Sequence, residues 1–81
     1  MSVKVLYFAG LREALGCSAE SLDLPAGVTT AGALRDWLAE RHEAIRAAKN
    51  LRTAINQQMV GLDAPVADGD EVAFFPPVTG G

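Results

Sequence analysis

Cysteine and histidine are nearly absent from this 81-residue chain, each occurring once, as Cys17 and His42. One thiol cannot close an internal disulfide or supply a multi-thiolate metal site, and one imidazole has no second to share a metal with. Cys17 has no histidine near it in sequence, so a thiolate nucleophile is not indicated, and a small packed or half-exposed thiol accounts for it. No apolar run approaches the roughly 18 residues of a membrane span, and the run from Val3 to Phe8 is too short for a signal peptide. With a lone thiol that fits a reducing compartment, the expectation is a soluble, cytoplasmic protein. An excess of positive charge is lacking too. The net charge is −3 and the pI about 4.9, which disfavours a general attraction to nucleic acid or anionic membrane. Arg35, Arg41, Arg46, Lys49 and Arg52 gather mid-chain but are interleaved with Asp36, Glu40 and Glu43, the pattern of a solvated helix face. Gly10 and Gly16 lack the other elements of a phosphate loop. Asp63, Asp68, Asp70 and Glu71 miss the calcium-loop spacing, and Asp68-Gly69-Asp70 is ordinary turn chemistry.

What is present is enough for one domain with a modest core: 49% hydrophobic and 21% charged residues, near the globular norm. Residues 3 to 9 alternate as a strand, with Val3, Val5 and Tyr7 on one face and Lys4, Leu6 and Phe8 on the other. Lys4 marks its face as the wetter one. Leu6 and Phe8 then form either a partner surface or a patch covered by a loop or helix. Gly10 to Gly16 holds a helical turn, with Leu11 and Leu15 four apart and Gly16 suited to a left-handed stop. Ser18 to Leu24 reads as a second strand that pairs with the first and closes on the turn Pro25-Ala26-Gly27.

A main helix is predicted from an N-cap at Thr29 or Thr30 to about residue 48. Leu34, Trp37, Leu38, Ile45 and Ala48 give it one apolar stripe, with Trp37 in the core. From His42 to Asn50 the pattern thins and leaves the helix end open. His42 itself reads as solvent-exposed. Thr53 to Gln57 and Gln58 to Gly61 follow as a third strand and a short fourth one. After a loop ending in a tight turn, Glu71 to Phe75 forms the last strand, with Val72 and Phe74 on one face and Glu71, Ala73 and Phe75 on the other. The predicted fold is α+β, a mixed sheet crossed on one face by the main helix, with the first and last strands joined in parallel at its centre. Residues 1–75 form the domain and 76–81 an extended tail.

The tail carries the one distinctive chemistry. Pro76 and Pro77 lack amide protons and fix φ, so sheet pairing stops there and the chain leaves extended. Val78 and Thr79 lead to Gly80 and Gly81, a tip without side chains that either frays like most chain ends or enters a narrow slot in another protein. With Gly81 as the last residue, the reactive group is its carboxylate. That group resists nucleophilic attack until an enzyme joins it to AMP, after which a sulfur donor can convert it to a thiocarboxylate.

The chain resembles the small, sulfur-carrying subunits of molybdopterin synthase, a family with the ubiquitin-like β-grasp fold. The resemblance rests on residues 4–9 leading to Arg12-Glu13, on Ala54-Ile55-Asn56-Gln57, and above all on the run from Asp68 to Gly81. It implies that Gly81 is the reacting residue, adenylated and then thiocarboxylated. It also implies that Gly80, Thr79, Val78, Pro77 and Pro76 lie in the partner's tail channel, and that Phe75, Phe8 and Met59, with Arg12 as a charged contact, form the docking face. The implied partners are the large synthase subunit, in a heterotetramer, an adenylating enzyme related to ubiquitin-activating enzymes, and a sulfur donor. No cofactor would be bound by the chain itself; ATP and magnesium would serve the activating enzyme, and cyclic pyranopterin monophosphate would accept the sulfur. A carrier for thiamine synthesis or tRNA thiolation, a non-covalent β-grasp interaction module, and a protein-tagging modifier are the competing readings.

Overall fold

The computed structural model describes residues 1–48 and 50–76. In chain order the elements are β1 (Ser2–Tyr7), α1 (Gly10–Leu15), β2 (Ala19–Asp23), α2 (Ala31–Arg41), α3 (Glu43–Ala47), β3 (Arg52–Ile55), β4 (Gln58–Val60) and β5 (Glu71–Phe75). The five strands form one sheet in the order β2-β1-β5-β3-β4. β5 is the middle strand, parallel to β1 and antiparallel to β3, while β1 and β2 are antiparallel. This is the mixed, β-grasp arrangement expected from the order of elements, with both ends of the domain in adjacent central strands.

Alternation decides which side of the sheet is dry. Val3, Val5 and Tyr7 from β1 and Val72 and Phe74 from β5 are all buried, and they meet Leu34 and Leu38 of α2 and Ile45 of α3. Across the sheet, Tyr7 pairs with Phe74, and Phe74 with Thr53. The central strands are thus stapled by their largest side chains.

α2 begins where Thr30 caps it, its hydroxyl accepting from the Ala33 amide at 3.1 Å. The start is held to the loop after β4 by the Gly32 amide, which donates to the Leu62 carbonyl at 2.8 Å. A Cβ on Gly32 would stand 3.0 Å from that oxygen, a tight contact that the loop would have to relieve by shifting slightly.

The single helix to residue 48 is corrected. His42 adopts an extended backbone (φ −132°, ψ 112°), ending α2 and starting α3. Its ring is 24% exposed rather than solvated, edge-on to Tyr7 at 6.2 Å, with Nε2 3.3 Å from Glu20 Oε2. The same Glu20 oxygen accepts from the Tyr7 hydroxyl at 2.7 Å. The break lets His42 settle on β1 and β2 while Ile45 re-enters the core, a tertiary gain that outweighs helix continuity. Burial, reinforced by the bond to Glu20, holds the Tyr7 phenol above its ordinary range.

Trp37 is half-buried at the rim of the core rather than within it, and the Arg41 guanidinium lies 4.9 Å from its ring centre. Arg52 starts β3 and is not on a helix face. The third strand ends at Ile55, because Asn56 and Gln57 (φ 51° and 71°) form the two-residue turn into β4. Positive φ at both positions is what a type I′ hairpin demands, here met without glycine.

Candidate docking face and tail root

Residues in register across a sheet point to the same side. Leu6 is in register with Ala73, Ala73 with Ala54, and Ala54 with Met59, so one row crosses four strands on the face opposite the helices. Two alanines make its floor flat. Leu6 and Met59 flank them, Met59 60% exposed, and beyond Leu6 the row continues to Ala19 of β2. Phe75, two residues after Ala73, extends this face to the end of β5, where pairing with β3 closes at Arg52↔Phe75.

Phe8 lies just beyond β1 and meets Phe75 edge to face at 6.5 Å, 44% exposed. The next residue, Ala9, turns the chain from β1 into α1 with φ 54° and ψ −130°. This conformation is rare outside glycine and strained for alanine. It sends Leu11 into the core while Phe8 stays outside. Arg12 is exposed on α1, at the same end of the sheet as Phe8 and Phe75, though not on the sheet face itself.

The strand that leads to the tail is fastened at its start. The Asn56 side chain accepts from the Glu71 amide and donates to Asp70 Oδ1, both at 3.0 Å, while its own amide donates to the Glu71 carbonyl at 2.8 Å. Asp70 Oδ2 in turn accepts from the Ala67 amide at 2.8 Å, and the Asp70 carbonyl accepts from Lys4 at 3.0 Å. Turn chemistry thus explains Asp70, and among the described residues no cluster of three or more metal-ligating side chains occurs. No described helix is long and apolar enough to cross a membrane.

Phe8 and Phe75 are brought into contact, Met59 shares their face two strands from Phe75, and Pro76 follows directly at the root of the tail. Pro77, Val78, Thr79, Gly80 and Gly81 lie outside the described residues. Sequence reasoning missed Ala54 as part of the floor and Arg52 as a neighbour of Phe75. The register of β3 would have found both. It also missed Asn56 as the fastening of β5, for which an asparagine between two short strands was the available signal.

A sequence profile of the ThiS family matches residues 5–81. The molybdopterin synthase sulfur carrier subunit of Escherichia coli K12 is 46% identical over 83 aligned residues, covering 98% of this chain and 99% of that one. Among solved structures, SAMP1 from Haloferax volcanii, the small archaeal modifier protein 1, superposes with a TM-score of 0.82 at 30% identity, covering all of both chains. The complex of subunits 1 and 2 of the molybdopterin-converting factor from Helicobacter pylori contains a chain that matches with a TM-score of 0.71 at 26% identity, again over the full length of both.

Proposed function

The chain belongs to the ThiS family, and we propose that it is the sulfur carrier of molybdopterin synthase, working in the cytoplasm as the small subunit of that enzyme. The observation that carries this reading is the placement of Phe75. It ends the central strand on the outward face, against Phe8, immediately before the Pro-Pro launch of a Gly-Gly tip. Docking through Phe75, Phe8 and the Leu6–Met59 row would aim the tail into a partner's channel, because the strand beneath it is paired on both sides and cannot swing.

In this reading the Gly81 carboxylate attacks the α-phosphorus of ATP in a ubiquitin-activating-like enzyme, with magnesium assisting and pyrophosphate leaving. A donor at the sulfide level displaces AMP and leaves the thiocarboxylate. In the large subunit its sulfur takes the place of an oxygen substituent on a carbon of cyclic pyranopterin monophosphate, the carbon–oxygen bond breaking and the oxygen leaving with a proton. Water then cleaves the acyl–sulfur bond, returning the carboxylate and leaving the sulfur on the pterin. Two carriers supply one dithiolene, which fits a heterotetramer. This chain contributes the reacting acyl group and the docking face, and the partners contribute the catalytic side chains.

The test is intact mass spectrometry after incubation with ATP, magnesium, the activating enzyme and a sulfur source. Replacement of one oxygen by sulfur at Gly81 is expected. A chain lacking Gly81 should still bind the large subunit yet transfer no sulfur, whereas a purely non-covalent module would tolerate the deletion. Sulfur loading without transfer to the pyranopterin would move the protein to the thiamine or tRNA branch. The likeness to SAMP1 favours a second use of the same end, attachment to lysines of other proteins; isopeptide-linked Gly81 in tryptic digests would establish it.

A further inference from the structure

Of the seven basic residues, two are Lys4 and Lys49 and the other five are arginines at 12, 35, 41, 46 and 52. Three of these are engaged within the fold. Arg35 meets Asp36 at 3.4 Å, Arg46 meets Glu43 at 3.1 Å, and Arg41 lies over Trp37. Arg12 and Arg52 form no ion pair and no ring contact with any described residue. They are also the two arginines at the end of the sheet where the tail leaves. The residues at the start of β5 are instead acidic: Asp68, Asp70 and Glu71. Among the described residues, then, the end of the sheet where the tail leaves carries two arginines without an internal ion pair, while Lys4 stands at the other end, in register with Glu71.

Arg52 is the more constrained of the two. It is in register with Phe75, so both side chains stand on the outer face of neighbouring strands, about 5 Å apart at Cα. A protein that covers Phe75 must also cover the stem of Arg52. Its guanidinium then either stays in water at the rim or loses water, and a desolvated cation is tolerated only opposite a carboxylate or a set of acceptors.

We propose that Arg52 is a recognition residue of the docking face, pairing with a carboxylate that the large subunit places beside the mouth of its tail channel. The inference rests on the sulfur-carrier reading and adds to it the chemistry of the partner's rim. A planar guanidinium on a strand fixed next to β5 gives the rim contact an orientation that a flexible lysine would not. It would set the rotation of the carrier about the tail axis, which an apolar patch alone leaves loosely defined.

The experiment is titration calorimetry of the full chain against the large synthase subunit, at low and high salt, for the wild type, Arg52→Glu, Arg52→Gln, Arg52→Lys and Phe75→Ala. Circular dichroism checks that each variant is folded. Arg52→Glu should weaken binding about tenfold or more at low salt, with Arg52→Gln intermediate and the deficit shrinking as salt screens the pair. Arg52→Lys should recover most of the affinity. A charge-reversing lysine at one acidic rim position of the large subunit should rescue Arg52→Glu and weaken the wild type. If Arg52→Glu binds within twofold of wild type with the same salt dependence while Phe75→Ala is weakened, the inference is overturned and the docking face stands. If the wild type does not bind, or Phe75→Ala binds equally well, the sulfur-carrier reading of this face falls with it.

Discussion

The two faces of β5 carry side chains of similar chemistry to opposite ends. Phe74 is fully buried between Tyr7 and Thr53, whereas Phe75, one residue later, lies outward against Phe8. A single strand thus holds the domain together with one phenylalanine and presents it with the next. Stability should be lost on the inner face and affinity on the outer, and that division is open to measurement.

The largest effect is expected from crossing the two. Phe74→Ala leaves a cavity at the centre of the sheet and should cost about 3–5 kcal/mol, enough to unfold a large fraction of so small a domain. Phe75→Ala should shift the denaturation midpoint far less, since it removes a partly exposed ring. It should nonetheless weaken binding to the large subunit by about 2 kcal/mol, roughly thirtyfold, as expected of an aromatic anchor. Equal losses of stability in the two variants, by urea denaturation, would break the comparison.

A smaller effect sharpens the inner face. The Tyr7 phenol is held above its usual range by burial and by its bond to Glu20. Its neutral form is therefore favoured by folding. That stabilisation is complete below the unfolded phenol value of about 10 and is lost as pH rises above it, because the unfolded chain ionises first. Urea midpoints should fall steeply above about pH 10, and Tyr7→Phe should flatten the slope while costing about 1 kcal/mol at neutral pH. A slope that survives in Tyr7→Phe would assign it elsewhere.

How much of this was legible beforehand follows from the same two faces. Period-2 alternation in Val3–Phe8 and Glu71–Phe75 gave the inner and outer sets correctly, because in a sheet buried on one side each residue's face is fixed by its neighbours. The Pro-Pro pair marked where β5 had to end. Other features were set by contacts distant in sequence. The break at His42 contains neither glycine nor proline, and its cause is the packing of the ring on Tyr7 and Glu20. The Asn56-Gln57 turn lacks the glycine that usually announces a type I′ hairpin, so its residues read as strand. The charges that precede Arg52 make it read as part of one helix face, whereas the register of β3 places it beside Phe75.

The last prediction sets stability and affinity against each other at Ala9. With φ 54° and ψ −130°, this residue carries strain of about 1–3 kcal/mol, and glycine would relieve it. Glycine also gives the unfolded chain more freedom, worth about 0.4–1 kcal/mol, so Ala9→Gly should stabilise the domain by about 1 kcal/mol net. The strained turn is what passes the chain from β1 to α1 while leaving Phe8 outside against Phe75. A freer turn means that Phe8 must be ordered on docking, at a cost of about 0.5–1 kcal/mol, or two- to fivefold in affinity. A variant that gains stability and loses binding would show that the outer face is preorganised at the expense of the fold. Gains in both would mean that Phe8 is held by its ring contact alone and that the turn contributes only strain.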